Sequence, residues 1–375
     1  MQDKVAIVKC SSYSPSELYD SIKKAISLSL SKEGENRLAI DFKGKTVLLK
    51  PNILSGALPE KAVTTHPEFV KQSIFAIKEL GAAKIIAGDS PGYQSSDFAG
   101  KKSGIMKAVL DAGGEWEDFS DHIEVKNPDG LLVKSFNLAS AVKKADIIIS
   151  LPKMKTHQLL YYTGGMKNLF GMVPGLQKSA FHLRFQERGL FAKMVVDLNI
   201  AIKPAFTIMD AVTAMEGHGP GSGDPRHVGI ILASNNILGL DIAAVTIMGY
   251  NPKEIPTITE ALERKEWLKD VSGFDVVGEK IEDVKIHDFK KIKVLNDIAM
   301  FRGRMPSMLY KVLRRAVVKK PVIDYKKCIK CNNCIEICPA KVMSYLSEKI
   351  IIDYKKCIAC YCCHEVCPVK AINIR

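Results

Sequence analysis

The chain has 375 residues with 54 Lys+Arg against 41 Asp+Glu, a formal net charge of +13. That length makes two domains, or three, with room for a sizeable core, and 47% hydrophobic with 25% charged residues excludes wholesale disorder. No apolar run reaches the ~18–20 residues that span a bilayer, and the start MQDKVAIVKC lacks a signal-peptide pattern, so a cytoplasmic protein without a transmembrane segment is expected.

Val5–Val8 reads as a strand, Pro15–Leu30 as a helix with Pro early in it, and Thr46–Lys50 as a second strand. Pro67–Leu80 is helical and closed by Gly81, Lys84–Ala87 is a third strand, Met106–Leu110 lies in a helix, and Asp146–Ser150 is a buried strand. Ala205–Met209 and Val228–Ala233 are further strands, with helices around Lys193–Ile202 and near Leu238–Met248. Continuous apolar strands alternating with helices predict an α/β domain over residues 1–300, with a mostly parallel sheet covered on both faces. Between Ile298 and Ile323 stand seven basic residues and no acidic one. Residues 301–321 are therefore expected to form a basic linker helix, with a docking surface for an acidic partner or membrane as the sharper alternative.

Nine of the ten cysteines fall in the last 48 residues; the other is Cys10. Cysteine concentrated at one end of a large cytosolic chain points to metal rather than to a disulfide framework. Ile323–Pro339 and Ile352–Pro368 match at 12 of 17 positions, a repeat that implies two pseudosymmetric halves sharing one small core. Each half reads C-x2-C-x2-C-x3-C-P, the spacing in which three thiolates wrap one iron–sulfur cubane and the fourth ligates the other. The expected ligand sets are Cys328, Cys331, Cys334 and Cys367 for one [4Fe–4S] cluster, and Cys357, Cys360, Cys363 and Cys338 for the second. Residues 322–375 thus resemble a bacterial two-cluster ferredoxin, a small α+β domain that exchanges electrons with a soluble carrier or redox partner. A zinc ribbon has no use for the third and fourth cysteines. Cys362 reads as a small non-ligand residue.

Four polar clusters follow strands in the large domain. Asn52 follows TVLLKP, and Asp89 lies in GDSPG after KIIA. The stretch LPKMKTHQLLYYTGGMKNLFGMVPG holds Lys153, Lys155, His157, Gly164, Gly165, Lys167 and Asn168; Asp210, Glu216 and His218 come after AFTIM, ahead of further glycines. In an open parallel sheet the carboxyl ends of the strands share one edge, where ligands bind. Glycines let backbone amides approach an anion, and the lysines add charge, so an anionic small molecule is the expected guest. Room remains there for an additional organic or metal cofactor. Flanking lysines would keep His157 neutral and available as base or ligand. EGHGPGSG lacks the following helix of a dinucleotide fingerprint, and TGGMKN lacks phosphate-loop spacing. No stacking aromatics interleave the basic positions, so nucleic acid is not favoured.

The combination of LLKPN, TTHPEFV, GDSPG, LPKMKTH, TGGMKNLFGMVPG and IMDAVTAMEGHGPGSG resembles a domain-of-unknown-function family of uncharacterised iron–sulfur centre proteins. The resemblance covers about residues 40–250 plus the cysteine module; it implies a shared fold and no established reaction. The run HQLLYYTGGMK followed by PG is also similar, more distantly, to the active-site stretch of the nickel-pincer lactate racemase family. That resemblance implies an acid/base role for His157, a tethering role for Lys167 and nickel ligation for His182. Three functions stand as expectations: an iron–sulfur oxidoreductase, a non-catalytic electron-transfer subunit, and a pincer-type hydride-transfer enzyme.

Overall fold

The computed structural model describes residues 3–31, 38–175, 177–294, 306, 308–309 and 317–375. The basic segment expected as a linker helix lies largely outside the described residues.

Among the described residues twelve strands precede the cysteine module: β1 Asp3–Lys9, β2 Thr46–Pro51, β3 Lys84–Ala87, β4 Glu115–Trp116, β5 His122–Lys126, β6 Ser135–Ala139, β7 Ile147–Leu151, β8 Lys153–His157, β9 Tyr161–Thr163, β10 Phe206–Glu216, β11 Asp224–Ser234 and β12 Phe274–Gly278. Ten of them form one sheet, ordered β12-β1-β11-β10-β7-β2-β3-β4 with β8 and β9 continuing beside β10, while β5 and β6 pair separately. Pairing from β10 through β4 is parallel, whereas β11 runs antiparallel to both β10 and β1. The sheet is mixed and mostly parallel.

The apolar runs explain why the central strands are buried on both faces. Side chains alternate across a strand, so Val47, Leu49, Ile147 and Ile149 pack with the helices Pro15–Leu30 and Pro67–Glu79. Their neighbours Leu48 and Ile148 pack on the other side with Met194, Val195 and Leu198 of the helix Arg188–Ile202. His66 caps the second of these helices, its side chain accepting from the Glu68 amide.

Two expectations need correction. Asp210 and Glu216 are not in a loop after a short strand, because β10 continues through Glu216 as the partner of β11, with a register shift between Ala211 and Thr213. Lys153, Lys155 and His157 likewise stand on β8 rather than on a loop. Apolar and polar residues alternate poorly in both stretches, because their polar side chains are themselves buried.

The C-terminal segment pairs Pro321–Ile323 (β13) with Ile372–Ile374 (β16), and Met343–Leu346 (β14) with Lys349–Ile352 (β15). Single helical turns, Asn333–Glu336 and Cys362–Glu365, occupy equivalent places in the two repeats. Beside the cysteines its core holds Ile323, Val342, Met343, Ile350 and Ile372, with Ile337, Ala371 and Ile374 also buried. So few apolar residues are a weak basis for independent folding, which in such small domains usually needs a metal.

Candidate functional site

A cavity of about 100 Å³ lies where the carboxyl ends of β2 and β3 meet the cysteine module. Asn52 and Asp89 reach it from the turns after β2 and β3, and Lys155 and His157 from β8. Lys167 and Asn168 come from the short helix Gly165–Asn168, and Lys178 and His182 from the helix Gln177–Arg184. The module closes the cavity with Ile337, Cys362, Glu365 and Val366. Three of the four polar clusters read from the sequence thus converge, and so do His157, Lys167 and His182.

His157 is buried, and burial, followed by Lys167 and His182, drives its pKa well below the ordinary value. Its Nδ1 accepts from the amides of Leu159 (3.1 Å) and Leu160 (3.3 Å). The neutral ring therefore carries its proton on Nε2, which faces Glu365 Oε1 at 3.5 Å. In this tautomer His157 is a proton donor to the cavity, not the free base or ligand that its flanking lysines suggested. Burial pushes Glu365 up to about 7, against the pull of Lys167 and Lys155.

Burial lowers Lys155 to about 7; its Nζ donates to Asn52 Oδ1 (2.6 Å) and Val63 O (2.8 Å). Lys178 also falls to about 7 through burial, and its Nζ has no hydrogen-bond partner among the described residues. Four residues further along the same helix, His182 stacks on Phe191 at 4.4 Å, with Nδ1 unpartnered and its pKa brought to about 3 by burial. The Lys167 ammonium stands 4.4 Å from the Phe170 ring centre. Lys50 at the end of β2 pairs with Asp89 at 2.8 Å, and Asn168 donates to Lys50 O at 2.9 Å. Gly171 is required beside that pair, since a Cβ there would meet Asp89 Oδ1 at 2.0 Å and Lys50 Nζ at 2.6 Å.

The remaining expected residues stand elsewhere. Lys153 and Asp210 neutralise each other at 2.8 Å, and Asp210 also accepts from Tyr13 Oη (2.8 Å) and the His66 amide (2.9 Å). The amide of Gly165 is not open to a ligand: with Met166 N and Tyr162 Oη it binds Asp241, at 2.7, 3.0 and 2.8 Å. Gly164 packs against the same carboxylate, 2.7 Å from where its Cβ would stand. The anion at this glycine turn is the chain's own. Glu216 accepts from the Lys290 amide at 3.0 Å, outside the cavity. His218 sits at the seam between the domains, its carbonyl 3.0 Å from His364 Nε2. Of the glycines around it, Gly221 serves that seam, since a Cβ there would lie 2.4 Å from Glu365 O, whereas Gly219 packs on β8, where a Cβ would lie 2.3 Å from Thr156 O.

Sequence reading missed Lys50, Lys178 and Glu365. Lys178 and His182 at i, i+4 were a usable signal, since that spacing puts both on one helix face. Glu365 was hidden inside the cysteine repeat.

Within the module, Cys328, Cys331, Cys334 and Cys367 line one apolar cavity. Burial pushes Cys334 up to about 11, with Cys331, Cys367 and Cys328 adding to the rise. Cys363 is driven well up by burial and by Cys360, Cys357, Cys334 and Cys338. Thiols crowded in this way ionise together only around a cationic core, which fits iron–sulfur ligation. The amides of Ala371 and Val342 point at the sulfurs of Cys367 (3.1 Å) and Cys338 (3.5 Å), the hydrogen bonds that tune such clusters. Among the described residues no three His, Cys, Asp or Glu side chains stand close enough to hold a single metal ion.

Two family models match the chain: a domain of unknown function (DUF362) over residues 47–246, and a 4Fe-4S dicluster domain over residues 320–368. A thylakoid-associated protein of Synechocystis sp. is 33% identical over 294 residues, covering 75% of this chain and 87% of that protein. Among solved structures, the lactate racemase apoprotein from Thermoanaerobacterium thermosaccharolyticum superimposes with a TM-score of 0.41 at 13% identity, over 66% of this chain and 57% of that one. A crystal structure of a Thermotoga maritima protein gives 0.38 at 12% identity, over 70% and 61%. The chain spans less than two thirds of either. No helix among the described residues is long and apolar enough to cross a membrane.

Proposed function

The chain belongs to the DUF362 family and ends in a 4Fe-4S dicluster domain, and we propose that it is an iron–sulfur oxidoreductase whose electrons reach an anionic small molecule in the seam cavity. Cys328, Cys331, Cys334 and Cys367 would hold one [4Fe–4S] cluster, and Cys357, Cys360, Cys363 and Cys338 the other. The clusters supply single-electron transfer. One observation carries the reading: the turn Cys362–Glu365, which bears Cys363, is also a wall of the cavity. A group bound there lies beside the second ligand run, with only protein between.

The large domain supplies the rest. Lys155, Lys167 and Lys178 attract an acid group, and the apolar wall of Phe170, Ile337 and Val366 thins the water around it. His157 holds a proton on Nε2 for a substrate that gains charge. A soluble acidic carrier would deliver electrons at the module, and a reducing cytoplasm suits eight cluster thiolates. As a bare electron carrier the protein would have no use for a cavity with unpartnered Lys178 and His182.

The test is anaerobic purification with iron and sulfide analysis, EPR, and mass spectrometry of the extracted ligand. About eight iron and eight sulfide per chain are expected, with an organic acid in the extract; a single cluster, or a cavity that never retains a ligand, refutes the proposal. Nickel with a nucleotide-like ligand would move the protein to hydride-transfer chemistry.

A further inference from the structure

The lysines around the cavity differ in what their amino groups touch. Lys50 pairs with Asp89 at 2.8 Å and donates to Pro51 O at 2.6 Å. Lys155 donates to Asn52 Oδ1 and Val63 O. Lys167 stands 4.4 and 5.7 Å from the ring centres of Phe170 and Phe191, over faces that favour a cation. Lys178 has no such neighbour. It is nine-tenths buried in the cavity wall, and no acceptor among the described residues takes a hydrogen bond from its Nζ. Burying an ammonium without acceptors is costly, so the form that this position accommodates is the neutral amine with its lone pair. The charges that act on Lys178, namely Asp89, Lys50 and Lys167, all belong to the large domain, so its state is set apart from the cysteine loops.

We propose that Lys178 is a nucleophile that holds its ligand as an imine, so that the cavity takes an oxo acid, a small molecule with an aldehyde or ketone carbon beside its acid group. This rests on the reading of the seam cavity as the site of an anionic small molecule, and it names the class of that molecule. The lone pair on Nζ adds to the carbonyl carbon, and the C–N bond forms as the carbon–oxygen double bond opens. Both amine protons then leave with the oxygen as water, and C=N closes with no electron gained or lost. A lysine freed of its proton by a dry setting is the usual nucleophile for this step. The Nε2–H of His157 lines the same cavity and can stabilise the oxygen while it carries negative charge. Phe170, Ile337 and Val366 limit the water that would hydrolyse the product. An acid with no carbonyl leaves the free amine without a task.

Trapping tests this. The oxidised, cluster-loaded protein is incubated anaerobically at pH 7 with glyoxylate or pyruvate and cyanoborohydride, which reduces an imine to a stable secondary amine, and the product is mapped by peptide mass spectrometry. An ordinary lysine is neutral in only about one part in three thousand at pH 7. Lys178 is therefore expected to carry the adduct of at least one of the two oxo acids at a level about tenfold or more above any other lysine. Lactate, which has no carbonyl, is expected to give none, and Lys178→Met to lose the adduct while keeping its iron. Adducts spread evenly over the lysines, concentrated on a different lysine, or absent with both oxo acids overturn the proposal, and the map of the unaltered protein decides this without any variant. The trap involves no electron from the clusters. A Lys178 adduct in a protein whose reduced clusters pass no electron to a bound oxo acid would sink the redox reading and leave this one standing. Cluster-driven reduction of an acid that never labels Lys178 would do the reverse.

Discussion

Lys178 is buried without a hydrogen-bond partner among the described residues, and replacing it with methionine is expected to stabilise the large domain. Burial brings its pKa from the ordinary 10.5 to about 7. The folded chain thus releases a proton that the unfolded chain keeps between those two values, and stability rises with pH across that window. Below pH 7 the penalty is complete, about 5 kcal/mol at ~1.36 kcal/mol per pH unit. At pH 9 it has shrunk to about 2 kcal/mol, and above pH 10.5 it is gone. Methionine fills a similar volume with no charge to bury, so the variant escapes all of it. The assay is denaturant unfolding followed by intrinsic fluorescence at pH 7 and pH 9, under anaerobic conditions with clusters intact. A gain that is large at pH 7 and falls by more than half at pH 9 is expected. A destabilised variant, or a gain independent of pH, would refute the reasoning, because either means that Lys178 is neither desolvated nor unpaired.

Other outcomes follow from the same geometry. Asp210→Ala leaves Lys153 buried without its partner and is expected to cost about 3–5 kcal/mol; a loss under about 1 kcal/mol in denaturant unfolding would contradict the buried pair. Cys363→Ser is expected to lose the iron of one cluster, about four atoms per chain, while Cys362→Ser keeps its iron. Equal losses in colorimetric iron analysis would make Cys362 a ligand.

Runs such as IIISL and KIIA announced central strands, because a parallel strand buried on both faces has no polar side to interrupt the pattern. The cysteine module was legible from spacing alone. β8 and the far half of β10 were not, since Lys153, Lys155 and Asp210 are buried charges and look like surface residues in a linear reading. For the same reason Lys153 and Asp210 were grouped with ligand-binding residues when each is the other's partner. The glycine turn misled in a similar way: glycines signal close approach of backbone to an anion, but not whose anion it is, and Asp241 lies more than seventy residues downstream. Glu365 was out of reach because its role depends on how two domains meet.

That meeting ties two supplies together. The seam cavity borrows a wall from a small cysteine-rich domain, and small metal domains commonly fold with their metal, so the pocket would be complete only where iron has been delivered and the module has folded around it. Coupling of this kind is reciprocal: a group held in the seam cavity would also brace the turn Cys362–Glu365 against opening, and so would slow iron loss from the neighbouring thiolates. A cell short of iron would find that group unbound, and a cell rich in it would keep its iron longer.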